Sequence, residues 1–262
     1  MKALIDGDSI IYKIAFALEE KIYWGVEDDE EPSYYYDIDK MYEAVDDFIY
    51  GIEKATATTG ASEIYLTGSN NFRNSNPLGY KLNRADVRRP DSIPLLKHHL
   101  VAYHNAKIVD NVEADDIVVY KKNKYPSRYV LCAIDKDVLY QTEGIHYNYG
   151  SEQFVTVDKL TATRFAYIQA LMGDPSDGYK GCKGIGVVKA NKLLEDLKTE
   201  EEMWNKVVEL YLNAGQTEED AIHTMQLASM TQYKGNGVIE LWQPSPNWLT
   251  LRENKEKEIT ND

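Results

Sequence analysis

The sequence predicts an α/β domain with a largely parallel central sheet, followed by a smaller helical region. Two observations predict it. Over residues 1–165, short apolar runs alternate with segments of helical period, the signature of strand–helix–strand units. From residue 158 onward the helical periods follow one another, broken by a glycine-rich stretch at 173–186. A chain of 262 residues suits one large domain or one with a small domain appended.

The elements follow in order. Residues 2–5 are a short apolar strand, and Ser9 is placed to cap a helix over 10–18. Residues 27–37, acidic and tyrosine-rich with Pro32, read as a loop. A long helix is expected over 38–58, with Met41, Val45, Phe48, Ile49 and Ile52 on one face. A strand over 62–67 leads into 68–91, a polar excursion without core period, and long loops of this kind are commonly functional. A helix at 93–104, a strand at 107–109, a helix at 113–122 and a strand at 128–134 follow. Residues 146–149 and 153–157 pair as a hairpin around Gly150. Helices are then expected at 158–172, 187–197, 201–213 and 217–231. The domain boundaries drawn from this reading are 1–165, with an arch-like excursion at about 68–105, then 166–235, then a tail at 236–262.

The net charge of −14 argues, taken alone, against a polyanionic partner. The charge is segregated, however. Residues 72–107 carry a local +5, residues 180–198 a local +3, and residues 19–53 a local −11. The two cysteines, Cys132 and Cys182, make no disulfide framework, and no Cys/His spacing of a zinc site is present. His98, His99 and His104 read as surface residues or phosphate contacts rather than metal ligands, the four tryptophans Trp24, Trp204, Trp242 and Trp248 as packing, and Cys132 as core. No run is long enough for a membrane helix. Met1-Lys2 leads straight into the first strand, so a secretory leader is not expected and a reducing cytoplasm is.

Acids stand where strands and helices begin or end. Asp6 and Asp8 follow the first strand, Glu113, Asp115 and Asp116 open a helix, Asp135 and Asp137 follow the strand at 128–134, and Asp174 and Asp177 follow the helix at 158–172. In open parallel sheets ligands gather at the carboxyl ends of strands. Carboxylates brought together repel and raise one another's pKa, and a divalent cation relieves this. An all-oxygen set suits Mg²⁺ or Mn²⁺. Two such ions serve in-line phosphoryl chemistry. Taken singly, an acid at a helix start also serves the helix dipole, about 0.3–1 kcal/mol each, and needs no ion.

Gly181-Cys182-Lys183-Gly184-Ile185-Gly186 precedes a helix, lacks the Lys-Ser/Thr ending of a P-loop and follows a helix rather than a strand. A glycine turn between helices lets backbone amides meet a phosphate, with Lys180, Lys183, Lys189 and Lys192 nearby. A plain turn explains the same residues equally well.

Over most of its length the chain resembles the flap endonucleases, most of all the small 5′-to-3′ exonucleases of T-odd phages. The resemblance is carried by Ile5-Asp6-Gly7-Asp8, Phe72-Arg73, Gly79-Tyr80-Lys81-Leu82-Asn83-Arg84, Val112-Glu113-Ala114-Asp115-Asp116, Ile134-Asp135-Lys136-Asp137, Gly173-Asp174-Pro175-Ser176-Asp177 and the glycine segment running to Ala190. It implies a PIN-like nuclease fold with a helix–three-turn–helix region. Asp6, Glu113, Asp115 and Asp116 would hold one metal ion, and Asp135, Asp137, Asp174 and Asp177 would complete that site and hold a second. Lys81 and Arg84 would meet the scissile phosphate. Arg73, Tyr80, Arg88, Lys183, Gly184, Gly186 and Lys189 would join them against DNA, Tyr80 by stacking on a base, and a K⁺ would sit at the glycine turn. The implied activity is metal-dependent 5′–3′ exonuclease and flap endonuclease action on DNA with 5′ ends, nicks or flaps, extending to RNA in hybrids. The implied setting is a monomer in a phage-infected bacterial cytoplasm, working beside replication or recombination proteins and away from membranes.

One departure stands out. The family carries an aspartate after its second strand, and this chain has Thr67-Gly68-Ser69-Asn70 there, with no acid. That points to weaker metal binding or a rebuilt site, and it motivates a second reading as a non-catalytic binder of branched DNA. A third reading, a phosphatase of the haloacid dehalogenase type, takes Asp6 and Asp8 as a nucleophile pair, but the late acids then follow a helix where that class needs a strand.

Overall fold

A strand buried on both faces must be apolar throughout, and Ala3, Leu4 and Ile5 of β1 (Lys2–Asp6) are fully buried. In the computed structural model, which describes residues 1–24 and 32–248, β1 lies in the middle of a six-stranded sheet. It is followed by α1 (Gly7–Leu18), β2 (Glu20–Ile22), β3 (Ser33–Tyr35), α2 (Ile38–Ala55), β4 (Ser62–Thr67), α3 (Ile93–His104), β5 (Lys107–Val109), α4 (Ala114–Lys124), β6 (Tyr129–Ala133), α5 (Lys136–Tyr140), β7 (Gly144–Asn148) and β8 (Gln153–Val157). The sheet order is β5-β4-β1-β6-β7-β8, and the pairs β4/β5, β1/β4, β1/β6 and β6/β7 are parallel. The chain steps from β1 to one side and returns to the other side at β6. Strand order therefore reverses at β1/β6, and the crevice beyond their carboxyl ends is where such sheets bind ligands.

The chain divides into two compact units. The first takes in Met1–Asn70, Val87–Leu139 and Gly144–Thr156, and the second Asn71–Asp86, Tyr140–Glu143 and the chain from Val157. In the first, Ile10, Ile11 and Ile14 of α1, Met41, Val45, Ile49 and Ile52 of α2, and Leu96 and Leu100 of α3 bury against the sheet. The 3.6-residue spacing marks the four on α2. Gly7 at the start of α1 lies so close to β4 that a Cβ would stand 2.8 Å from the Ile64 side chain and 2.9 Å from Leu66. Only glycine fits there.

The second unit holds α6 (Lys159–Met172), β9 (Gly173–Asp174), β10 (Tyr179–Lys180), α7 (Val187–Leu194), α8 (Glu200–Asn213), α9 (Glu218–Ala228), β11 (Tyr233–Gly235) and β12 (Val238–Ile239). Its core gathers Tyr167, Leu171, Trp204, Val207, Tyr211 and Met225. Thr199 and Thr217 open α8 and α9 with capping boxes closed by Glu202 and Asp220.

Several expectations shift. The first helix begins at Gly7, capped by Asp6, and Ser9 donates to that cap at 2.6 Å and does not cap the helix itself. Of the loop expected at 27–37, residues 25–31 lie outside the described residues, and Ser33–Tyr35 pairs antiparallel with β2. The helices expected to reach 197 and 231 end at Leu194 and Ala228. In the expected tail, Trp242 packs on Trp204 with ring centroids 4.7 Å apart and planes tilted by 58°, and residues 249–262 lie outside the described residues. Trp24 is exposed, not packed, and donates to Ser33 Oγ at 3.0 Å. Among the described residues no helix is long and apolar enough to cross a membrane.

Candidate metal centre and nucleic-acid interface

The end of β1 delivers Asp6 into the crevice at the reversal of strand order. Asp6 is buried, and its oxygens accept from Asp8 N at 3.0 Å and Ser9 Oγ at 2.6 Å. Burial, then the charge of Asp8 and, more weakly, that of Asp135, push its carboxyl up to about 7. Tyr149 reports the same field: burial first, then the charge of Asp6, holds its hydroxyl well above the ordinary tyrosine value. Concentrated negative charge of this kind, on oxygen donors alone, fits a divalent hard cation.

Thr67, at the end of β4, ties the neighbouring groups together. Its amide donates to Asp8 Oδ2 at 2.8 Å, and its hydroxyl accepts the amide of Ala114, the first residue of α4, at 2.9 Å. Glu113, Asp115 and Asp116 are thereby fixed at the mouth of α4. Asp116 is fully buried and accepts from Glu113 N at 3.1 Å, while Asp115 Oδ1 accepts from Asp116 N at 2.7 Å. Beyond β6, Asp135 Oδ1 accepts from Asp137 N at 2.8 Å. Asp6, Asp115, Asp116 and Asp135 thus each accept a nearby backbone amide as well as standing at the carboxyl end of the sheet.

Two features escaped the sequence. Lys97 of α3 donates to Thr67 O at 2.6 Å and sits 3.3 Å from Asp8 Oδ1, a cation against the acidic pocket. A lysine in a basic helix gives no sign of this. Asp110, one residue past β5, fills the space beside Gly68: a Cβ built on Gly68 would collide with Asp110 Oδ1, and that oxygen accepts from Ser69 N at 3.0 Å. The parallel register of Thr67 with Val109 sets the two positions side by side.

In the second unit Asp174 is buried. Its Oδ1 accepts from Ser176 N at 2.8 Å, from the Ser176 hydroxyl and from Asp177 N at 3.3 Å. Asp177 pairs with Arg84 at 2.8 Å and lies 3.8 Å from Lys81, whose amide donates to Asp177 O at 2.7 Å. The two cations expected at the phosphate are therefore held together on one carboxylate.

Three residues expected at DNA have partners within the fold. Arg73 is buried, with Nη2 donating to Ser229 O at 3.2 Å. Tyr80 is buried with Tyr179 and Leu227. Arg88 grips Glu19 through two hydrogen bonds of 2.6 and 2.9 Å and lies over the Tyr34 ring. Sequence marks such residues as basic or aromatic but does not say what they touch.

The glycines of the 181–186 turn separate by cause. A Cβ on Gly181 would collide with the backbone of Leu171 and Gly173. Gly184 has φ +78°, a conformation that side chains resist. Gly186, the N-cap of α7, has φ −102° and open space before it, so neither packing nor conformation requires glycine there. Exposed Val187 and Val188 flank it. The Lys183 amide donates to Gln216 Oε1 at 2.7 Å, and Lys189 Nζ reaches Gly184 O at 3.4 Å.

No family model matches the chain. A curated relative, DNA polymerase I of Caldicellulosiruptor bescii, is 28% identical over 231 residues, covering 79% of this chain, which spans about a quarter of that protein's length (26%). Among solved structures, the bacteriophage T5 D15 protein crystallised with metal ions aligns with TM-score 0.64 at 15% identity, covering 88% of this chain and 90% of that one. The T5 D15 flap endonuclease variant solved with DNA and metal ions aligns with TM-score 0.63 at 14% identity, covering 99% of each chain. The T5 5′-exonuclease with bound zinc gives TM-score 0.62 at 16% identity, covering 89% of this chain and 90% of that one. The resemblance carried by the motifs extends to the architecture: the chain has the α/β fold of the flap endonucleases and phage 5′-exonucleases.

Proposed function

We propose that the chain is a divalent-metal-dependent 5′–3′ exonuclease and flap-type endonuclease that hydrolyses DNA phosphodiesters at or near 5′ ends, and RNA strands in hybrids. The observation that carries this reading is the buried Asp6 at the reversal of strand order, with Asp8 held beside it by the Thr67 amide and Asp135 following the neighbouring strand.

Asp6, Glu113, Asp115 and Asp116 would hold one ion, and Asp135, Asp137, Asp174 and Asp177 would complete that site and hold another, Mg²⁺ or Mn²⁺ in each case. When bound, two such ions activate a water and neutralise charge on the attacking and leaving oxygens. The chain's own groups do the rest. Thr67 fixes the orientation of Asp8 and of the α4 mouth, and Lys97 offsets charge on Asp8. Lys81 and Arg84 exchange Asp177 for the phosphate, whose oxygens then take their hydrogen bonds. Gly186 lets a sugar–phosphate backbone approach the start of α7 with Lys183 and Lys189 beside it, and Gly184 shapes the turn. A K⁺ at that turn, a monomeric state, a host cytoplasm and replication partners belong to the same reading, on the family resemblance alone. Asp110 supplies a carboxylate at the place where the resemblance expects one and Gly68 has none.

The experiment is digestion of 5′-labelled duplex, flap and single-stranded DNA with Mg²⁺, with Mn²⁺ and with EDTA. Expected are short 5′ products from duplex and flap with either ion and none with EDTA. Asp6→Asn and Asp116→Asn should lower cleavage by about 100-fold or more while DNA binding persists. Binding without cleavage in the wild type would establish the non-catalytic reading in its place.

A further inference from the structure

Away from the acidic crevice, three metal-ligating side chains of the first unit converge between α2 and α3. Asp46 projects from α2, His99 from α3, and His104 is the last residue of α3. Both imidazole Nε2 atoms point at the same oxygen, Asp46 Oδ1, at 2.7 Å from His99 and 2.6 Å from His104, and all three donor atoms lie within 4.8 Å of one another. His99 was read from sequence as a surface residue, and it is buried. Tyr42 stacks on its ring at 4.3 Å and 8° between planes, and Tyr103 lies 4.9 Å away. The His104 side chain is 20% exposed and Asp46 50%.

Hydrogen bonding alone accounts poorly for this arrangement. Two imidazoles compete for one carboxylate oxygen, while the buried His99 Nδ1 has no hydrogen-bonding partner among the described residues. The Asp46 carboxylate is half exposed, so its second oxygen and the open side leave room for an ion to enter.

We infer that Asp46, His99 and His104 form a binding site for Zn²⁺ or a similar borderline ion, separate from the all-oxygen pocket at Asp6. Two nitrogens and one carboxylate oxygen suit zinc and disfavour Mg²⁺. Donor atoms around four-coordinate Zn²⁺ stand about 3.3 Å apart, given bonds of about 2.0–2.1 Å. Each imidazole therefore withdraws roughly 0.6 Å from Asp46, which the half-exposed carboxylate can accommodate by rotating. Any hydrogen on Nε2 moves to Nδ1 of the same ring or leaves to water as the ion binds, and water from the open side takes the fourth position. The site would fasten α3 to α2. Lys97 lies two residues before His99 on α3, so the ion restrains the helix that carries a cation to Asp8. The inference is independent of nuclease activity.

The test uses the full chain, stripped of metal and held in millimolar Mg²⁺ so that hard-oxygen sites are filled. Zn²⁺ binding is followed by titration calorimetry, and Co²⁺ by the visible absorption of a four-coordinate nitrogen-containing site. Expected is one tight equivalent, with the Co²⁺ band present in wild type, His98→Ala and Asp6→Asn. His104→Ala and Asp46→Asn should each lose at least tenfold in affinity and lose the band. Asp46→Asn, a near-isostere at a half-exposed position, keeps the test decisive if His104→Ala misfolds. Wild type without a Zn²⁺ equivalent under these conditions, or Asp46→Asn binding Co²⁺ with unchanged colour and affinity, overturns the inference.

Discussion

At the scale of single residues, the most informative pair is Gly68 and Asp110. The sequence shows a strand end without an acid, and the fold shows a carboxylate from the adjacent strand end occupying the space a side chain on Gly68 would take. If Asp110 stands in for the absent acid, Asp110→Asn should weaken Mn²⁺ binding by about tenfold, roughly the loss of one charged contact, and slow cleavage at limiting metal. The carboxamide keeps an acceptor for Ser69 N, so the turn should survive. Calorimetry with Mn²⁺ on the variant, beside its thermal midpoint, checks this: a changed midpoint with unchanged Mn²⁺ affinity would make Asp110 a turn residue only. Acids such as Asp6 and Asp135 were legible because they follow apolar runs directly. Asp110 carries the same signal after the strand at 107–109 and was open to the same reading; what the sequence hid is that this strand lies beside β4. Arg73, Tyr80 and Arg88 show the converse limit. Composition marks them as basic or aromatic in a polar excursion, and only the fold shows Ser229, Tyr179 and Glu19 already engaging them or packed beside them.

At the scale of elements, helices and strands were legible wherever apolar periodicity ran for several residues, as in α2, α6 and β6. Helix starts were less so: the cap of α1 is Asp6, which also ends β1, because the turn between them has no spare residue. The glycine turn before α7 yields a graded prediction. Gly181→Ala sets a methyl group against backbone and should be strongly destabilising. Gly184→Ala forces a side chain to φ +78° and should cost about 1 kcal/mol or more. Gly186→Ala meets open space at an ordinary φ. The poorer N-cap and the reduced entropy of the unfolded chain offset each other, leaving stability within about 0.5 kcal/mol. Its DNA affinity should nevertheless fall about tenfold if a phosphate backbone approaches that amide (~1.4 kcal/mol). Fluorescence anisotropy on a flap duplex in EDTA, compared with urea unfolding of the same variant, separates the two effects. Unchanged affinity would reduce the segment to a turn.

At the scale of the whole molecule, the segregation of charge seen in sequence says little about which charges meet. The clearest case is Glu63 on β4. Lys2 of β1 donates to it at 3.2 Å, Tyr129 of β6 at 3.1 and 3.2 Å, and Lys121 of α4 also bonds it, from sequence distances of 61, 66 and 58 residues. Separations that long leave no trace in a local pattern. Burial works to raise the Glu63 carboxyl, but Lys121 foremost, then Lys2 and Tyr129, bring it down to about 2 from an ordinary 4.5. A carboxyl depressed by folding contributes stability above its unfolded value and loses it as the pH falls through the folded one. Glu63→Gln should therefore destabilise the protein by on the order of 2 kcal/mol at pH 7, after allowance for partial exposure. The penalty should shrink as the pH falls from 4.5 toward 2. Other carboxylates titrate in the same range, but they do so in both proteins and cancel in the difference. Urea unfolding of wild type and variant across that range supplies the measurement. A difference that stays constant with pH would mean that Glu63 acts through shape and neutral hydrogen bonding, and that the charge linking β1, β4, β6 and α4 adds nothing to the fold.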